Sequence, residues 1–423
     1  MNRTTRPKPS ESDDEIGDAR TEETGSFDHA FALTRHGMRL LGFWPRDTHL
    51  LSNLRCGAIC ALIGFISFPG VVRTYTVIDT VTDWSLVMHQ AIEVVPMIPL
   101  LARFVFMKVM AKNFQHILHT ITTDWADFRY MTKRARRIMA YYARRGRRFC
   151  ILSTTLLTIS IIGFMLTPVV RMWHSDSLWN TTTRVLLHEG LYFRNKESPV
   201  FEILYVTQAF VAFLGATAIA TVDCFLYIIV FHVCGQFDIL AAILKRYDGS
   251  VRHHPSDTKD PVARNCACIF CIVQRHVHIL KYASIIEKSF RDFLLLQLLG
   301  YWVSLVLQGR ELILENLLFQ YVRHSNIHGS VTCILYVLTI MYYIFIYCYV
   351  SECIIERSEN IATIAHDLEW LSFPRDTNLP IIVARARIPC KLTAGRFLTL
   401  SFHCYHMILT TTISYISVLA AFK

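Results

Sequence analysis

Residues 203–233 read ILYVTQAFVAFLGATAIATVDCFLYIIVFHV, and Asp223 is the one formally charged side chain among them. A core helix of a water-soluble domain has a polar face, and this stretch has none. About 20 such residues cross the hydrocarbon core of a bilayer as a helix. The stretch therefore reads as a membrane span.

Six further runs approach the same length. With this one they fall at 57–74, 84–104, 149–170, 203–233, 292–308, 331–350 and 397–422. The fifth follows the amphipathic stretch Tyr282–Phe290 and runs on into Leu312–Phe319, so its far end is not marked. Composition agrees with this count of spans. Apolar residues make up 53% of the 423 residues and charged residues 18%, against roughly 45–50% and 25% in soluble domains. Mean hydropathy is +0.34. The expected fold is all-α, a polytopic membrane protein of seven transmembrane helices spanning 31–423. Residues 1–30 are acidic, Ser/Thr-rich and almost without large apolar groups, which reads as a disordered leader. No signal peptide precedes the first run.

The net charge of +10 is unevenly placed. Segments 1–56, 104–148, 234–291 and 351–396 carry 34 of the 43 Lys and Arg, and the three intervening connections carry 7. Arg103 lies at a boundary and Lys423 at the end of the chain. Basic connections stay in the cytoplasm, so the expected topology has the N-terminus cytoplasmic and the C-terminus extracellular. Arg129–Arg148, with nine basic residues and three tyrosines, would suggest nucleic acid in a soluble protein. Between two spans it reads as a segment lying on anionic headgroups. No nucleic-acid partner is expected. Asn180, in the sequon Asn180-Thr181-Thr182, falls in the longest extracellular connection and is a glycosylation candidate. None of the 13 cysteines lies in an extracellular connection.

The sequence lacks a phosphate-binding loop, a dinucleotide fingerprint, a zinc-protease motif and a nucleophile elbow. It is read as a non-enzyme without a cofactor. Cys266, Cys268 and Cys271 form C-x-C-x-x-C, followed by His276 and His278. No second ligand pair stands at zinc-finger spacing, so the thiols are read as reduced or lipid-modified and no metal is expected. Ionisable residues within the spans carry more information, because they are costly in hydrocarbon. His89 and Glu93 share one face of the second span, and Asp223 lies deep in the fourth. They suit a ligand cavity or an interhelical hydrogen bond equally well. The seventh run is the most polar. Thr411, Ser414, Val418 and Ala421 follow one helical stripe, which fits either a packed bundle or a narrow pore closed by an aliphatic ring.

Four segments carry a resemblance. Leu40–Pro45 (LLGFWP), Glu352–Pro374 with Trp370, Leu392–Phe397 (LTAGRF) and Ser414–Leu419 (SYISVL) resemble the corresponding segments of insect odorant receptors, most closely those of ants and bees. His366 stands where that family usually has Tyr. The gustatory receptors, the nearest alternative, carry an ending with a Gln that this chain lacks. A G-protein-coupled receptor would place the N-terminus outside, and a secondary transporter would show inverted halves.

The resemblance implies a ligand-specific subunit of a ligand-gated, non-selective cation channel. The channel is a heterotetramer with odorant co-receptor subunits, in the plasma membrane of olfactory neuron dendrites. The last helix forms the pore, and the cytoplasmic ends of the later spans form an anchor. Val418 falls at the gate position, and Ala421 stands where the co-receptor has Gln. The ligand, a small apolar volatile, is expected in the outer half of the second, third, fourth and sixth spans. By depth its candidates are His89, Glu93, Phe164, Pro168, Ala209, Phe213, Tyr336 and Ile340.

Overall fold

The computed structural model describes residues 27–44, 50–80, 84–126, 131–174, 184–192, 195–247, 249, 266–321, 327–368 and 379–421. Asn180 and Trp370 lie outside the described residues, as does all of the leader but its last four positions. In chain order the helices are α1 (Phe27–Leu40), α2 (Leu50–Thr80), α3 (Trp84–Val94), α4 (Met97–Val109), α5 (Ala111–Ala126) and α6 (Lys133–His174). There follow α7 (Val200–Leu244), α8 (Ile269–Tyr321), α9 (Ile327–His366), α10 (Leu379–Ala386), strands β1 (Thr393–Ala394) and β2 (Leu398–Thr399), and α11 (Phe402–Ala421).

Helices α2, α6, α7, α8 and α9 are each long and apolar enough to cross a membrane. The second in chain order is the pair Gln90–Val109 and Ala111–Ala126, which meets that condition together and is bent by 67° at its break. The seventh is α11, whose 20 residues reach about 30 Å at 1.5 Å per residue. The all-α expectation holds, with one two-residue hairpin added.

The predicted runs mark only the apolar middles of these helices. α7 has 45 residues and α8 has 53, giving about 68 and 80 Å, more than twice a hydrocarbon core of ~30 Å. The basic segment 133–148 is not a connecting loop but the first four turns of α6. The basic ends of α6, α7, α8 and α9 thus continue as a helical bundle beyond the apolar zone. There Tyr142 donates to Asp238 at 2.8 Å, and Arg147 donates to the carbonyl of His29 on α1 at 2.5 Å.

α7 is the central post: 78% of its apolar window is buried, against 17% for α2. This explains why residues 203–233 lack a polar face, since α7 is packed on most sides. α2 instead turns Phe65, Phe68 and Tyr75 outward, each about two-thirds exposed, as a lipid-facing helix does.

The LLGFWP segment is a helix stop. Gly42 adopts φ +73, a left-handed conformation that ends helices and favours glycine. The N–H of Phe43 then bonds the Met38 carbonyl at 2.6 Å. Leu41, Phe43 and Trp44 are buried by the turn, and Phe43 meets Phe104 of α4 edge-on at 4.8 Å. The LTAGRF segment is the hairpin: Thr393 pairs with Thr399 and Ala394 with Leu398. Gly395, at φ +63, donates its N–H to Arg291 of α8 at 2.9 Å, which fixes where the chain enters α11.

The second predicted span, 84–104, is not a single helix. α3 ends at Val94 and α4 begins at Met97, after Pro96. Proline removes a helix N–H and its ring clashes with the preceding turn. The break is held by close packing. A Cβ built on Gly300 of α8 would lie 2.8 Å from the Pro99 ring, and one built on Gly215 of α7 would lie 3.0 Å from Leu100. The Pro99 ring cannot rotate away. Gly300→Ala is expected to lower the thermal stability of the purified chain by about 1–3 kcal/mol. Gly57→Ala, whose Cβ would meet nothing within 4 Å, serves as the neutral control.

Candidate ligand site and C-terminal helix

At the level of the α3–α4 break, Asp223 of α7 is fully buried. A lone carboxylate in an apolar bundle is strongly unfavourable, and here it is paired. Arg103 of α4 donates Nη1 to Asp223 Oδ1 at 2.7 Å, and Tyr347 of α9 donates its hydroxyl to the same oxygen at 2.7 Å. Arg103 donates Nη2 to the Tyr301 hydroxyl of α8 at 2.6 Å. The guanidinium lies over the Phe293 ring at 5.4 Å. Tyr301 stacks between Tyr343 and Tyr347 at 5.9 and 6.1 Å. One cluster thus joins the second, fourth, fifth and sixth crossings.

Beside this cluster is a small cavity of about 70 Å³. Pro96, Pro99, Leu100 and Arg103 form one wall, and Tyr336, Thr339, Ile340 and Tyr343 of α9 form the wall opposite. α8 contributes Gln297, Gly300, Tyr301 and Ser304, and Leu157 of α6 and Ile219 of α7 close it. The lining is apolar and aromatic with few convergent polar groups, the usual make-up of a small-molecule site.

A second, smaller cleft of about 30 Å³ lies on the other side of the break, lined by Ile66, Gly70, Glu93, Met97, His188 and Val211. Its cover is the segment 184–192, which is tucked into the bundle. Gln208 of α7 holds the His188 backbone at both ends, accepting from its N–H at 3.1 Å and donating to its carbonyl at 3.0 Å. Glu93 accepts the Glu189 N–H at 3.1 Å, and Arg73 donates to Glu189 Oε2 at 2.6 Å. Tyr192 donates to the Ile66 carbonyl at 2.7 Å.

Of the eight residues chosen by depth, Tyr336 and Ile340 line the cavity, and Glu93 lines the second cleft. Phe164 faces the His188 ring at 5.5 Å. Pro168 is buried in α6 and Ala209 is half-buried on α7; neither lines either space. His89 is on α3, its side chain outside the described residues. Phe213 is 54% exposed and turned away from the bundle. The inward stripe of α7 is Gln208, Val211, Gly215 and Ala218, so the stripe through 209 and 213 is rotated off the cavity. The fifth crossing, absent from the expected enclosure, supplies four lining residues. Arg103 was placed only as a boundary residue; an unpaired Asp223 at matching depth was the signal for it.

On α11, Cys404, Ile408 and Thr412 are buried against the bundle, whereas Thr411, Ser414 and Val418 are exposed. Hydroxyl protons are satisfied within the helix: Thr411 donates to the Met407 carbonyl at 2.8 Å and Ser414 to that of Thr410 at 3.1 Å. Their oxygen lone pairs stay free to face water. The side chain of Ala421 lies outside the described residues. α11 rests on α8, where Trp302 meets Tyr415 edge-on at 5.3 Å. A Cβ on Gly309 would fall 2.3 Å from Ile416.

Comparison with known proteins agrees with this architecture. The family model described as 7tm Odorant receptor matches residues 87–413. The chain belongs to the odorant receptor family. Odorant receptor 13a of Drosophila melanogaster is 21% identical over 334 residues, 75% of each chain. Odorant receptor 22c of the same fly is 23% identical over 226 residues, 53% of this chain and 54% of that one. Among solved structures, the insect olfactory receptor OR5 from Machilis hrabei in complex with eugenol superposes with a TM-score of 0.71 at 14% identity. That match covers 97% of this receptor and 100% of the other chain. The same protein without eugenol in its description gives 0.68. The receptor thus has the seven-helix insect olfactory receptor fold.

Two outcomes follow from this geometry. Asp223→Asn leaves a buried guanidinium short of its counter-charge and is expected to cost about 3–5 kcal/mol. The double variant Arg103→Met with Asp223→Leu should recover much of that loss in thermal unfolding. The second concerns His188, whose burial pushes its pKa down to about 4 from 6.5. The unfolded segment binds the proton more readily, so packing of 184–192 is fully stabilised above pH 6.5 and weakens as pH falls toward 4. Protection factors at residues 186–192, with exchange corrected for its intrinsic pH dependence, should fall as pH drops from 7 to 5, and His188→Gln should remove that dependence.

Proposed function

We propose that this receptor is a ligand-binding subunit of an odorant-gated cation channel, assembled with co-receptor subunits into a tetramer whose pore is lined by α11. The observation that carries the reading is the position of α8 between cavity and C-terminal helix. Tyr301 and Ser304 line the cavity, and Trp302 of the same turn touches Tyr415. One turn of helix thus separates a bound ligand from the helix that bears Ser414 and Val418.

A small apolar volatile in the cavity would contact Tyr336, Ile340, Leu157 and Ile219, with Gln297, Ser304 and Thr339 as the few hydrogen-bonding groups. Dispersion and shape then dominate discrimination. One methylene changes binding by only ~1–3 kcal/mol, which gives broad tuning. The ligand opens the channel only by binding the open state more tightly. In a tetramer, four copies of the exposed Thr411–Ser414–Val418 stripe would meet at the axis, with hydroxyls lining the path and Val418 forming the aliphatic constriction. That eugenol accompanies the Machilis olfactory receptor in its structure supports an aromatic or terpenoid-sized ligand for this fold.

The basic end of the bundle faces the cytoplasm in this reading, supported by the 34 basic residues that the sequence carries in segments 1–56, 104–148, 234–291 and 351–396. The receptor would then sit in the plasma membrane of sensory dendrites with its C-terminus outside and Asn180 available for glycosylation.

The test is co-expression with an odorant co-receptor and current recording under a panel of volatiles. Ile340→Trp, which fills the cavity, should raise the half-maximal concentration about tenfold or more at unchanged surface abundance. Val418→Thr should raise ligand-free current or alter conductance. If both variants reach the surface and respond as the parent does, the cavity and pore assignments are both wrong.

A further inference from the structure

At the start of α8, some distance from the cavity, the C-x-C-x-x-C motif closes on itself. The sulfur atoms of Cys266, Cys268 and Cys271 all lie within 4.8 Å of one another. None is in a disulfide. Cys268 is buried, and Cys266 and Cys271 are half-buried. The backbone explains the convergence. Cys268 and Cys271 are three residues apart at the entry to a helix, so their side chains project onto the same face. Cys266 is turned back over them, its sulfur accepting the Cys268 N–H at 3.4 Å.

Three thiolates bound to one zinc at about 2.3 Å stand about 3.8 Å apart. Each pair here needs to close by at most about an ångström. Zinc, d¹⁰ and without a strong geometric preference of its own, accepts such a set with solvent at the fourth position. The site is separate from the cavity, since Gln297 stands 26 positions beyond Cys271 on α8, about 39 Å along the helix.

We propose that Cys266, Cys268 and Cys271 form a trithiolate zinc site that clamps the entry into α8. Each ligand gives up its thiol proton to solvent as the metal binds, so zinc uptake releases up to three protons. A bound ion would tie residue 266 to the first turn of a helix that touches both the cavity and α11.

The experiment uses the full-length receptor purified under reducing conditions, with zinc itself as the probe. About one zinc per chain is expected after equilibrium dialysis. Cys268→Ser and Cys271→Ser should each weaken zinc binding at least tenfold, and Cys390→Ser should leave it unchanged. A second measurement needs no variant: zinc should slow alkylation of Cys266, Cys268 and Cys271 in the unaltered protein, read residue by residue by mass spectrometry. Equal alkylation rates with and without zinc, or no zinc retained by the unaltered receptor, would overturn the site.

Discussion

The buried pair of Arg103 and Asp223 is the constraint around which the bundle is arranged. Two ions taken from water into an apolar interior are stable only when matched in charge and hydrogen-bonded. Arg103 meets that condition by bonding Asp223 and Tyr301 together, and Asp223 by accepting from Arg103 and Tyr347. Four crossings are therefore fixed in depth and rotation by one cluster of polar atoms. That constraint sets the floor of the cavity and holds α4 where Pro96 leaves it. Without the pair, nothing polar would set the register of α4 against α7, because the surrounding contacts are interchangeable apolar ones.

The remaining architecture divides the labour. Long helical extensions at the basic end hold the bundle together outside the apolar zone, through Tyr142–Asp238 and Arg147 with the His29 carbonyl. The opposite end is loosely filled, with two cavities around the α3–α4 break and the segment 184–192 as a cover. α8 is the element common to both parts, and glycines at 300 and 309 let it approach α4 on one side and α11 on the other.

Much of this fold was legible in the sequence because hydrocarbon imposes a simple rule: long apolar runs become helices. Five of the seven runs lie in helices long and apolar enough to cross a membrane, and Asp223 announced itself as the one charge in 203–233. The run boundaries were not legible, because helices such as α6 continue through basic residues that form helix as readily as apolar ones. The break at Pro96 was visible as a proline but not as a cavity wall, since prolines 69 and 168 sit inside unbroken helices. Tyr336 and Ile340 face the cavity and Phe213 faces outward, a difference depth does not carry, because position along a helix says nothing about which way a residue faces when α7 is apolar all round. The stripe through Thr411, Ser414 and Val418 was readable from spacing, and its exposure is what the structure adds.

The account rests on one claim, that the space between α4, α8 and α9 receives the ligand and passes its effect to α11. The most direct measurement is a density map of the receptor assembled with its co-receptor, solved with an activating volatile and again without it. The account requires ligand density between Ile340, Tyr336 and Tyr301, together with a shift of Trp302 against Tyr415. Ligand density outside that space, or an unmoved α8 beside an opened α11, would contradict it.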